Sequence, residues 1–96
     1  MDVLVTYDID TTTSKGVRRL ARVAKLCESY GTRVQFSVFE CRISPVALVR
    51  FVAELDELID ARRDSINVYR FTGSLSDARK SLGRLPLHEP GQHWVV

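Results

Sequence analysis

Asp8 and Asp10 stand two residues apart at the end of a short β-rich run, Val3 to Ile9, a spacing that puts side chains of a strand on one face. Two carboxylates so placed are hard oxygen ligands of the kind that hold Mg²⁺, with Mn²⁺ as a substitute. The same residues also suit a plainer role, Asp8 ending the strand and Asp10 opening a turn. What favours chemistry for Asp8 is its place at the tip of a run that is apolar on both alternating faces, where an uncompensated charge would be costly.

A second pattern is basic. Lys15, Arg18, Arg19, Arg22 and Lys25 occur with no acidic residue between them. At spacings of three or four, Lys15, either Arg18 or Arg19, Arg22 and Lys25 align along one face of a helix. Positive charge in the first turn and Glu28 in the last both oppose the helix dipole, each at about 0.3–1 kcal/mol, an order that stability alone would invert. A solvated face of good helix formers accounts for the stripe as simply as contact with phosphates does.

The remaining candidates are weaker. His88 and His93 lack partner spacing and read as surface residues. Tyr7, Phe36, Phe39, Tyr69 and Phe71 are able to stack on bases, yet they match no aromatic motif of RNA-recognition sheets and are expected mostly in the core or an interface. No phosphate-cradling glycine loop and no serine or cysteine triad signature is present.

The elements that must position these residues follow from periodicity. Val3–Ile9 reads as a central strand buried on two sides. After the polar turn Asp10–Ser14, the residues Val17, Leu20, Ala21, Ala24 and Cys27 recur at helical spacing, predicting an amphipathic helix from Lys15 to about Tyr30, closed by Gly31. Arg33–Cys41 is β-rich, either one long strand or two short ones reversing near Phe36-Ser37. Ser44-Pro45 opens a second helix whose apolar stripe is Leu48, Phe51, Val52, Leu55 and Leu58 or Ile59. Ser65–Phe71 alternates as a last main strand. One helical turn is expected within Ser76–Leu82, and His93-Trp94-Val95-Val96 is apolar enough to add a strand.

The order β-α-β(β)-α-β suits an α+β, ferredoxin-like sandwich, an antiparallel sheet with both helices on one face. With 96 residues there is room for a single core, residues 1–71, and a tail, residues 72–96. Hydrophobic residues at 45% and charged residues at 27% are those of an ordinary globular domain, and the net charge of +2 is too small to identify a partner. The absence of a basic leader and of a membrane-length apolar run predicts a cytoplasmic protein without membrane association. Cys27 and Cys41 lack zinc or redox spacing and are expected reduced and buried.

Three stretches together resemble CRISPR-associated protein two, the small dimeric partner of the CRISPR integrase: Val5-Thr6-Tyr7-Asp8-Ile9, Lys15 to Arg22, and Tyr30-Gly31-Thr32-Arg33-Val34-Gln35-Phe36-Ser37-Val38-Phe39-Glu40-Cys41. Asp64-Ser65-Ile66 and the strand after it extend the likeness over most of the first 71 residues. The resemblance implies a ferredoxin-like βαββαβ domain with an added C-terminal strand that pairs across two subunits. It implies a homodimer in which Asp8 of each copy faces its mate, holds Mg²⁺ and serves as the catalytic residue. Tyr7, Arg19, Arg33, Ser37 and Phe39 fall on positions around that cleft, with Asp10 in support.

The function so implied is CRISPR spacer acquisition, in which the homodimer binds duplex DNA together with the integrase subunits. Phosphodiester cleavage of RNA or DNA at Asp8 is an added activity described for some members. Lys15, Arg18, Arg19, Arg22 and Arg33 are the expected nucleic-acid contacts. Two rivals stand beside this reading: a stand-alone toxin-like ribonuclease of the same fold, and a non-enzymatic ferredoxin-like domain that binds a metabolite. The basic helix speaks against the second.

Overall fold

The structure is a computed structural model that describes residues 1–83. Its elements run β1 (Asp2–Asp8), α1 (Ser14–Tyr30), β2 (Thr32–Gln35), β3 (Val38–Arg42), α2 (Pro45–Leu58), β4 (Ser65–Phe71) and the short α3 (Leu75–Ala78). The expected terminal strand at His93–Val96, like His88 and His93 themselves, lies outside the described residues.

Each helix starts where the chain supplies an acceptor for its free N–H groups. Thr13, one residue earlier than the turn suggests, caps α1 by accepting a hydrogen bond from Gly16 N at 3.1 Å. Ser44 caps α2, accepting from Ala47 N at 3.1 Å, with Pro45 in the first turn, where its missing N–H costs nothing. The β-rich run after Gly31 is two strands, and the chain reverses at Phe36-Ser37, the second of the two alternatives.

The strands form one antiparallel sheet in the order β2-β3-β1-β4. With both long helices packed on one face, this is the ferredoxin-like arrangement expected from the element order. Val3, Val5 and Tyr7 of β1 and Phe39 and Cys41 of β3 meet Val23 and Cys27 of α1 and Leu48, Phe51 and Leu55 of α2 in the core. Tyr30 joins the helices: its ring stacks on Phe51 at 4.2 Å and its hydroxyl donates to Glu54 at 3.2 Å. Gly31 sits where a Cβ would overlap the Glu40 carbonyl and the Cys41 sulfur, so it permits close approach of the α1–β2 link to β3.

Three expectations need correction. The two-sided burial of β1 does not hold within this chain, because Leu4, Thr6 and Asp8 alternate onto the face away from the helices. The buried stripe of α1 contains Gly16, Val23 and Cys27 with Leu20 and Ala24 beside them, while Val17 is 54% exposed and Ala21 is exposed too. On α2, Val52 is 42% exposed and faces outward with Val46 and Val49.

The open sheet face carries Leu4, Thr6 and Asp8 opposite Tyr69, Asn67 and Ser65 of β4. At its other end α3 folds over it: Leu75 N donates to the Asp2 carboxylate at 2.7 Å, and Arg79 pairs with Glu40. A groove of about 810 Å³ remains there, bounded in part by Leu4, Val38, Phe71, Leu75 and Leu82. No helix among the described residues is long and apolar enough to cross a membrane.

Candidate functional site

The end of β1 is framed from both sides. Asp8 is the last residue of the strand and pairs with Ser65, the first of β4. On the other side Tyr7 N donates to the Ser37 carbonyl at 3.1 Å, bringing the Phe36-Ser37 turn against the same strand end. Asp8 is exposed on the open face, so its charge is hydrated and not forced into an apolar site. Among the described residues no hydrogen bond or ion pair engages its carboxylate.

Asp10 has a different job. Its Oδ1 accepts from Thr12 N at 2.9 Å and from the Thr12 hydroxyl at 2.6 Å, the local bonding of an Asx turn, while Oδ2 lies 3.9 Å from Arg63. The Thr12 hydrogen bonds hold this carboxyl below the usual aspartate range. It is committed to the turn, and the two acids do not form a shared pair of free ligands. Among the described residues no group of three or more His, Cys, Asp or Glu side chains is placed to enclose a metal ion.

Behind Asp8 lies a residue that sequence reasoning did not single out. The Asp64 side chain is fully buried and receives Arg19 as a fork, Nε to Oδ2 at 2.7 Å and Nη2 to Oδ1 at 3.2 Å. It also accepts from Asp10 N at 3.0 Å and Asp60 N at 2.8 Å. Arg19 is thus turned inward and only 15% exposed. Its neighbour Arg18 faces out with Lys15, Arg22 and Lys25, which settles which arginine completes the outer basic stripe. Among the described residues no carboxylate pairs with any of those four.

Tyr7, Phe39, Arg33 and Ser37 gather around the strand end, mostly beneath it. Phe39 is wholly buried, and Tyr7 packs on it with ring centroids 6.2 Å apart. Burial pushes the Tyr7 hydroxyl above its usual pKa. Arg33 lies over Phe39 and reaches Glu28 at 3.5 Å. Tyr7, Phe39 and Arg33 support the β2–β3 turn from the core side, Ser37 belongs to that turn and meets β1 through its carbonyl, and Asp8 points to the opposite face.

The four-stranded antiparallel sheet with its helices agrees with what comparison with known proteins finds. The family model for CRISPR associated protein Cas2 matches residues 1–77. The chain belongs to the Cas2 family. It is 42% identical to the CRISPR-associated endonuclease Cas2 of Halalkalibacterium halodurans over 86 residues, 90% of each protein. It is 51% identical to the CRISPR-associated endoribonuclease Cas2 of Chlorobaculum tepidum over 74 residues, 77% of this chain and 76% of that one. Among solved structures, Streptococcus pyogenes Cas2 superposes with a TM-score of 0.77 at 46% identity, covering 86% of this chain and all of that one.

Proposed function

We propose that this Cas2-family protein acts in CRISPR spacer acquisition as a homodimer that binds duplex DNA together with the CRISPR integrase, and that Asp8 is the centre of a Mg²⁺-dependent phosphodiesterase activity on RNA or DNA. The observation that carries the reading is the exposed Asp8 carboxylate at the tip of the central strand, free of internal partners within the described residues, on the one sheet face that no long helix covers. Relatives bearing the names endonuclease and endoribonuclease add support.

The donor set fits Mg²⁺ in a restricted way. One carboxylate per chain is a thin shell, and Mg²⁺ commonly keeps several waters while bound by one or two carboxylates and substrate phosphate. The open face also carries Leu4, Val38, Phe71 and the half-exposed Tyr69, apolar surface that a second copy would cover. Two such faces meeting would bring a second Asp8 toward the first. A bound divalent ion supplies Lewis-acid polarisation of the phosphate and a water of lowered pKa. The protein's own part is to hold that ion at Asp8 and to neutralise backbone phosphates with Lys15, Arg18, Arg22 and Lys25.

Asp8→Asn tests the reading. Cleavage of RNA and duplex DNA should be abolished, while sedimentation shows the dimer intact and DNA binding remains. Equal cleavage by the wild type and the variant would remove Asp8 from the chemistry, and a wild-type protein that sediments as a monomer would remove the homodimer.

A further inference from the structure

We infer that Asp64, with Arg19, is a positioning residue for Asp8: a buried clamp that fixes the backbone at the end of β1 and so the point from which the Asp8 carboxylate is presented. The inference rests on the reading of Asp8 as the metal-holding residue, and it concerns groups that touch neither metal nor nucleic acid.

The clamp has an unusual completeness. Asp64 Oδ1 receives Asp10 N and Arg19 Nη2, and Oδ2 receives Arg19 Nε and Asp60 N, so each oxygen takes two donors and the acceptor capacity of the carboxylate is filled. Its donors come from three separate segments, the β1–α1 link, α1 itself and the turn ahead of β4. Asp8 lies between the fixed points. The residue two beyond it, Asp10, is tied to Asp64 through its N–H, and its cross-strand neighbour Ser65 is covalently next to Asp64.

The same peptide segment is held from the other side by Gly16. A Cβ there would overlap the Asp10 carbonyl oxygen, so only glycine lets the first turn of α1 close down on that carbonyl. Asp10 is therefore gripped at its N–H by Asp64 and hemmed in at its C=O by the helix. Buried ion pairs are often no more stabilising than well-packed apolar side chains of the same volume. A role in geometry accounts for burying this pair beside the strand end that carries Asp8, because the clamp holds the Asp10 N–H two residues beyond Asp8 and adjoins Ser65, the cross-strand partner of Asp8.

The test measures Mn²⁺ binding by titration of the free-ion electron paramagnetic resonance signal, which requires no turnover, alongside cleavage kinetics. Asp64→Asn and the milder Arg19→Lys are compared with Asp8→Asn and with Leu48→Ala. The last is a destabilising core change in the first half of α2, whose start follows the β3 end that pairs with Asp2, away from Asp8. Wild-type protein should bind Mn²⁺ in an Asp8-dependent manner, and Asp64→Asn should weaken that binding and lower kcat by about 10- to 100-fold with KM for nucleic acid little changed. Arg19→Lys should fall between, and Leu48→Ala should bind and cleave as the wild type despite its lower melting temperature. If Asp8→Asn loses Mn²⁺ while folded Asp64→Asn and Arg19→Lys bind it like the wild type, the clamp is structural only and the inference is wrong. If Asp8→Asn binds Mn²⁺ as the wild type does, the failure lies in the reading of Asp8, and the clamp's role falls with it.

Discussion

The guanidinium carbon of Arg33 lies 5.1 Å from the centre of the Phe39 ring, a cation held over the face of a fully buried aromatic. The same group sits 5.9 Å from the Phe36 ring, so Arg33 bridges the strand β3 and the turn that precedes it. Planar stacking of this kind is specific to arginine, and a lysine keeps the charge while losing the fit. Arg33→Lys should destabilise the fold by about 1 kcal/mol in urea denaturation. The loss should shrink in a Phe39→Leu background, and an equal loss in both backgrounds would show that the stacked contact contributes nothing.

Asp64 makes stability depend on acid in a defined direction. Arg19 first, then the Asp60 and Asp10 N–H groups, hold its carboxyl at about 2 against the opposing cost of burial, compared with an ordinary value of 3.8. The folded protein therefore binds this proton less readily than the unfolded chain. Its contribution is fully present above about pH 4 and is lost as the pH falls through about 2, amounting to at most about 2 kcal/mol. The stability gap between wild type and Asp64→Asn should be constant from neutral pH down to about pH 4 and narrow below it. A gap that narrows on the alkaline side would contradict the assignment.

Cys27 and Cys41 are both free thiols in the core. Burial pushes the Cys27 thiol up to about 12 and Cys41 up to about 11, so almost no thiolate exists at neutral pH. Neither should react with a water-soluble disulfide reagent in native buffer on the timescale on which the urea-unfolded chain reacts fully. Labelling should track global unfolding, and rapid modification of folded protein would mean that the α1–β3 contact opens locally.

Strand and helix order was legible because it depends on local pattern: Ser65–Phe71 is β4 residue for residue, and Ser44-Pro45 marks the start of α2. Which face of an element is buried was less legible. The apolar residues of α1 span a wider arc than the face the fold buries, and periodicity selected Val17 where the fold buries Val23. Val3–Ile9 is apolar on both sides, which resembles a doubly covered strand, yet only the Val3, Val5 and Tyr7 side meets helices. Asp64 entered only through the resemblance of Asp64-Ser65-Ile66 and not as a site residue, because it ends a charged run, Asp60-Ala61-Arg62-Arg63-Asp64, with no local pattern that marks it as buried. Only the tertiary fold brings Arg19 to it from 45 residues away. Asp8 was found, but for a reason the fold revises, since its carboxylate is exposed and not buried at an apolar tip.

The division of labour between Arg18 and Arg19 yields the last prediction. The two are adjacent in sequence, yet Arg19 is anchored on Asp64 while Arg18 faces outward with Lys15, Arg22 and Lys25. Phosphate contacts made by the outer residues release counterions, so each contact removed should flatten the dependence of log K on log salt by about 0.9 for duplex DNA. Arg18→Ala and Arg22→Ala should therefore weaken duplex binding about equally on unrelated sequences and reduce the salt slope, with melting temperatures near wild type. Arg19→Ala should behave in the opposite manner: leaving the Asp64 carboxylate buried without its cation should cost about 3 kcal/mol of stability. Its salt slope, measured where the variant is still folded, should stay at the wild-type value. A reduced slope for Arg19→Ala with unchanged stability would place Arg19 on the DNA, and unchanged slopes for both Arg18→Ala and Arg22→Ala would return the outer stripe to a solvated helix face.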